Sequence, residues 1–273
     1  MYKLSSNMMG NMELDYYYNL DSYDTPPCRK RMLRDILGLK TRFFFFSRVL
    51  TLIIKFSNAI NKGKYSNMMW CDASFYIFKT IEGCGGKIHV RGLDNISSVP
   101  GPVVFIGNHM SSLETFILPG FICPKKPATF VVKQSLIDLP RFGTIMKASK
   151  AIAVGRKSPI DDFKAVMNEG IDLIKSGTSI IIFPQSTRGI DFNPDEFSSI
   201  GVKLAKKAGV PIIPVALKTD FWGNGQLIKD FGPIDRKKEI YFEFGTPLTV
   251  EGNGKQTQTD ICDFIQKKLL QWQ

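Results

Sequence analysis

The sequence predicts an α/β fold: a largely parallel central sheet flanked by helices, preceded by an N-terminal helical segment. Three observations carry this. Short apolar runs of strand length alternate with longer stretches of helical period from about residue 86 onward. The polar residues that stand out chemically follow directly after two of those runs, where open α/β sheets place their sites. And 273 residues suffice for one large domain with a modest appendage.

Residues 1–40 are rich in Asn, Tyr, Met and Ser and turn basic at Arg29, Lys30, Arg31, Arg34 and Lys40. They read as a flexible polar tail ending in a short basic helix. Residues 41–80 follow as helices, opening on Phe43-Phe44-Phe45-Phe46 and running apolar to Phe56. A membrane-spanning helix needs roughly 20 apolar residues, and this stretch is interrupted by Arg48 and Lys55. Those two lie seven apart, on one helical face, with a broad apolar face opposite. The pattern predicts a helix lying in a membrane interface with its cations toward headgroups; packing on the globular core is the simpler alternative.

Residues 81–273 form the main domain. The strand candidates are 87–91, 102–107, 128–133, 151–154, 178–183, 211–217 and 239–245. Ser158-Pro159 predicts a helix start, with a capping hydroxyl, proline at the first position and Asp161 and Asp162 in the first turn. Ile160, Phe163, Met167, Ile171 and Ile174 make its apolar stripe, and Gly177 ends it. The C-terminal helix repeats the logic with Ile261, Phe264, Ile265, Leu269 and Trp272.

Charge and cysteines narrow the function classes. With 36 Lys and Arg against 25 Asp and Glu, the net charge of +11 favours anionic partners. Basic residues do not interleave with aromatics as base stacking requires, so nucleic acid is not expected. The abundance of Phe points instead to an anionic membrane surface. Five scattered cysteines without a Cys-x-x-Cys pair, and only two histidines, supply no metal-ligand spacing. They read as reduced thiols in a cytosolic setting, and the polar N-terminus lacks a secretory pattern. No P-loop, dinucleotide fingerprint or Gly-x-Ser-x-Gly elbow is present.

The most informative motif is Asn108-His109-Met110-Ser111-Ser112-Leu113-Glu114, directly after the run 103–106. Ser111 to Glu114 matches a capping box, in which Glu114 would reach back to a backbone amide. The same helical turn could let Glu114 accept a hydrogen bond from His109 Nδ1–H, fixing the tautomer. The two roles are compatible. A second island, Phe183-Pro184-Gln185-Ser186-Thr187-Arg188, follows 180–182 and offers a permanently charged guanidinium suited to phosphate. His89 alternates with apolar neighbours and has the look of an ordinary strand residue.

Taken together, residues 87–217 resemble the phospholipid/glycerol acyltransferase family, which includes 1-acylglycerol-3-phosphate acyltransferases. Four blocks match in order: Asn108 to Glu114; Lys133-Gln134-Ser135-Leu136 with Pro140-Arg141-Phe142-Gly143 and Ala151 to Arg156; Phe183 to Arg188; and Val210 to Leu217. Glu114 stands where the family has Asp, and Gln185 and Ser186 stand where it has Glu and Gly. The resemblance implies the family's αβ sandwich and transfer of a fatty acyl group from acyl-CoA or acyl carrier protein to a lysophospholipid, most readily 1-acylglycerol 3-phosphate. Another lysolipid or amino-lipid acceptor, or a non-catalytic lipid-binding role, are the alternatives. It further implies His109 as general base oriented by Glu114. Arg188, with Lys133 and Arg156, would hold the phosphate, and Gln185, Ser186 and Thr187 would shape the acceptor pocket. No metal or redox cofactor is implied, and the expected location is the cytoplasmic face of a membrane.

Overall fold

The structure is a computed structural model that describes residues 20–37, 41–226 and 228–273. The expectations for residues 1–19 and 38–40 lie outside these. All seven strand candidates form, each within two residues of its predicted ends: β2 Ile88–Arg91, β3 Val104–Gly107, β4 Ala128–Lys133, β5 Ile152–Val154, β6 Ser179–Ile182, β7 Ile212–Lys218 and β8 Ile240–Phe244. With the two-residue β1, Tyr23–Asp24, they make one sheet in the order β1-β2-β8-β7-β3-β6-β4-β5. Pairing is parallel except for β1 on β2 and β7 on β8.

The central strands are apolar on both sides because both faces are covered. Along β3, Phe105 joins one core cluster while Val104 and Ile106 join the other; along β6, Ile181 divides from Ile180 and Ile182 in the same way. The first core lies under the N-terminal helices α2, Arg42–Asn61, and α3, Asn67–Gly83, together with α5, Leu113–Ile122. The second lies under α8, Pro159–Lys175, α9, Ile200–Ala208, and α10, Lys255–Gln271. The remaining helices are short: α1 Leu33–Leu37, α4 Asp94–Ser97, α6 Gln134–Ile137 and α7 Phe142–Ala148.

The start of α8 is as predicted, with Ser158 accepting from the Asp161 amide at 3.3 Å. Its apolar stripe is buried at Met167 and Ile174, with Ile171 packed on the core, but not in the first turn. Val166, Met167, Gly170 and Ile174 are buried, whereas Ile160 is 67% and Phe163 40% exposed. The two helices approach closely at Gly170, where a Cβ would sit 3.0 Å from Leu204 of α9. The C-terminal helix buries Ile261 and Ile265, with Phe264, Leu269 and Trp272 packed at its margin.

Residues 20–37, expected above within the flexible tail, are tied to the domain instead. Tyr23 and Thr25 donate hydroxyl hydrogen bonds to the buried Glu82 carboxylate, the latter at 2.9 Å. Asp35, also buried, pairs with Arg31 and, at 3.0 Å, with Arg236. A buried carboxylate must be compensated, and here the partners come from both the segment and the domain.

Helix α2 is long and apolar enough to cross a membrane by length and composition, yet Phe45, Phe46, Val49, Leu52 and Phe56 are buried inward. Arg48 makes a contact within the protein. Its guanidinium lies 4.2 Å over the Tyr76 ring of α3, a cation–π contact that ties the two helices together.

Candidate active site

Five adjacent strands end on one edge of the sheet, and the parallel register decides what meets there. β3 pairs with β6 through Val104↔Ile180, Phe105↔Ile181 and Ile106↔Ile182, so the loops after both strands leave side by side. One loop carries His109, the other Phe183 to Arg188. β4, next to β6, ends at Lys133, and the edge strand β5 is followed by Arg156. β7, on the other side of β3, is followed by Thr219.

His109 is held on three sides. Its ring stacks on Phe183 with centroids 4.5 Å apart and planes within 5°. Its backbone amide donates to Gln185 Oε1 at 2.5 Å, and its carbonyl accepts from the Gly189 amide at 3.1 Å. Beneath it, Asn108 is buried and spans the Leu217 backbone, donating to the carbonyl at 2.8 Å and accepting from the amide at 2.9 Å. β3 stops at Gly107, so this side chain continues the ladder for one more step and sets the exit angle of the histidine.

Glu114 is fully buried behind the imidazole, with Oε2 3.7 Å from His109 Nδ1. That is an ion-pair separation rather than a hydrogen bond, and Nδ1 has no hydrogen-bond partner. The carboxylate accepts from the Met110 amide at 2.7 Å, the Ser111 amide at 2.8 Å and the Thr219 hydroxyl at 2.7 Å. Ser111 Oγ in turn accepts from the Leu113 amide at 3.1 Å. Capping and proximity to the histidine therefore coexist. Burial pushes the Glu114 carboxyl up, but His109, the Ser111 amide and Thr219 outweigh it and hold the group below its ordinary range.

His109 opens into a cleft of about 420 Å³ whose apolar walls include Phe46, Val49 and Ile53 of α2, Phe116 of α5, Phe130 and Trp222. Lys133, Arg156, Thr187 and Arg188 line the same cleft, as do Ser112, Lys229 and Asp230. Of the residues expected at the acceptor pocket, Gln185 and Ser186 do not line it. The Gln185 amide is turned under the loop to the His109 backbone, and exposed Ser186 contributes its carbonyl to Arg156 Nη1. Arg188 donates to Ser112 Oγ and, at 2.7 Å, to Asp230 Oδ1.

Sequence reasoning missed Thr219, Asn108 as a backbone brace, and Asp230. Thr219 could have been found, since it follows a predicted strand at its C-terminal end. Asp230 lies in a loop without periodicity or motif, and nothing in the sequence joins it to a residue 42 positions away.

The candidate site thus joins an imidazole–carboxylate pair and a cationic rim over an apolar cleft in a two-sided α/β sandwich. The family model for Acyltransferase matches residues 87–218. The chain is 30% identical over 193 residues to the 1-acyl-sn-glycerol-3-phosphate acyltransferase of Pseudomonas aeruginosa, covering 70% of each protein. It is 29% identical over 163 residues to the chloroplastic enzyme of that name from Arabidopsis thaliana, covering 59% of this chain and 41% of that longer one. In fold it matches the crystal structure of the 1-acyl-sn-glycerophosphate (LPA) acyltransferase PlsC of Thermotoga maritima, with a TM-score of 0.65 at 17% identity over 88% of this chain and 97% of the other. The chain belongs to the acyltransferase family of the 1-acylglycerol-3-phosphate acyltransferases, and is an O-acyltransferase.

Proposed function

We propose that this enzyme transfers a fatty acyl group from a thioester, acyl-CoA or acyl carrier protein, to the free hydroxyl of 1-acylglycerol 3-phosphate, giving phosphatidic acid. The observation that carries the reading is the placement of His109, backed by Glu114 at 3.7 Å, in one apolar cleft with Arg188, Lys133 and Arg156. His109 Nε2 takes the proton of the acceptor hydroxyl as its oxygen attacks the thioester carbonyl. The C–S bond then breaks, and the thiolate leaves with the proton that His109 returns. Glu114 stabilises the imidazolium between these steps. No acyl-enzyme, metal or redox cofactor enters this scheme.

Arg188 faces the acceptor phosphate as a planar fork, with Lys133 and Arg156 adding charge. The use of Gln185 as a backbone acceptor supports the phosphate reading, because the departure from Glu leaves the cleft lining untouched. The apolar walls accommodate acyl chain. The exposed Phe43 and Leu50 of α2, with a chain charge of +11, suit an anionic membrane surface at the cytoplasmic face, where the lipid substrates reside.

The test is acyl transfer from labelled acyl-CoA to a panel of lysolipids, with and without phosphate, by wild type and His109→Ala. Preference for 1-acylglycerol 3-phosphate and near-complete loss in the folded variant are expected. Retained turnover in His109→Ala rejects the base, and preference for an amino-lipid or diester acceptor rejects the substrate.

A further inference from the structure

Arg188 is compensated before any substrate arrives. Its side chain is 15% exposed, and Nη1 donates both to Ser112 Oγ and to Asp230 Oδ1, at 2.7 Å for the latter. The Ser112 hydroxyl donates to the same Asp230 oxygen at 2.7 Å. One donor nitrogen of the guanidinium, Nη1, is thus already paired with an oxyanion from the protein.

The acid is held by a turn rather than by the core. Asp230 sits in the 3₁₀ turn Lys229–Phe231, and its side chain is 47% exposed. Trp222 Nε1 donates to its carbonyl at 3.1 Å, while Lys229 Nζ reaches Thr187 Oγ1 at 3.0 Å. The Asp230 carboxyl is pushed up by burial but held below the ordinary carboxylate range by Ser112 and Arg188, so at neutral pH it is an anion. A half-exposed carboxylate on a surface turn can rotate into water at little cost, whereas the mostly buried guanidinium cannot leave.

We propose that Asp230 is an exchangeable internal counter-ion: the acceptor phosphate displaces it from Arg188 on binding, and it retakes the guanidinium to release the phosphatidic acid product. This rests on Arg188 as the phosphate contact. An anionic acceptor must break the Arg188–Asp230 pair, so its apparent affinity is reduced by the strength of that pair. The same term lowers product affinity, which speeds turnover, because substrate and product carry the same phosphate. A phosphate-free acceptor binds without breaking the pair.

The experiment compares Asp230→Asn and Asp230→Ser with wild type on 1-acylglycerol 3-phosphate and on monoacylglycerol, with inhibition by added phosphatidic acid. Loss of one charge-assisted contact predicts a KM for the phosphate-bearing acceptor about 5- to 20-fold lower. A lower kcat and tighter product inhibition are expected alongside, with no comparable fall in the KM for monoacylglycerol. A residue that merely supported the turn would not lower KM. An unchanged or raised KM in the folded variants overturns the proposal, as does failure of both variants to fold. Arg188→Ala, measured in parallel, separates the two ideas. If it raises KM while Asp230→Asn does nothing, only the counter-ion role fails; if KM is unchanged in Arg188→Ala, the phosphate contact itself is refuted.

Discussion

Replacing Glu114 by Gln changes one atom and tests the base–acid pair directly. The carboxylate lies 3.7 Å from His109 Nδ1 with no solvent exposure. At an effective dielectric of about 20, a unit charge pair at that separation is worth about 4 kcal/mol. Part of this is present in the resting enzyme, so a loss of about 100- to 1,000-fold in kcat is expected. KM for both substrates should change little. The Gln oxygen can still accept from the Met110 and Ser111 amides and from Thr219, but charge-assisted bonds become neutral ones and the new amide nitrogen replaces the oxygen 3.1 Å from the Ser111 amide. That costs about 1–2 kcal/mol of stability, or roughly 3–6 °C in Tm.

The pH dependence has a definite sign. The folded-state Glu114 carboxyl is held below its ordinary value of 4.5, so its contribution to stability is present above that pH and disappears as pH falls through the depressed value. Wild type and Glu114→Gln should therefore converge in stability in acid and diverge toward neutrality. Steady-state acyl transfer and thermal unfolding from pH 3 to 7, on the same preparations, read both effects. A variant that loses only thermal stability and keeps kcat within about threefold would reduce Glu114 to a helix cap and refute the pairing.

Asn108→Ala should leave the Leu217 amide and carbonyl without the partners they now have at 2.9 and 2.8 Å. At about 1–3 kcal/mol for each unsatisfied buried group, a loss of about 2–6 kcal/mol is expected in denaturant unfolding, with a drop in kcat as His109 loses its brace. Phe43, 77% exposed on α2 and outside the cleft lining, should matter for lipid contact alone. Phe43→Ser is expected to weaken co-sedimentation with anionic vesicles about tenfold or more, from the roughly 1.5–3 kcal/mol of a buried Phe, with an unchanged melting temperature.

The alternation of strand and helix, the parallel sheet and the His109–Glu114 spacing were legible in the residues because each is local. A strand shows its period or its unbroken apolar run, a capping box spans four residues, and an acid one helical turn beyond a histidine needs no distant partner. Arg188 could be named for the same reason, from its position after a buried run. What the residues could not supply was rotation and pairing. Gly170 lets α9 come close to α8, and Arg48 finds Tyr76 because α3 folds beside it. Gln185 bends under His109, Thr219 reaches Glu114 from β7, and Asp230 takes Arg188. The sequence by itself determined the strand and helix order and set the candidate chemical groups at strand ends. Only the tertiary structure decided which groups meet, since contacts across parallel strands depend on register and strand order, which no single stretch of chain encodes.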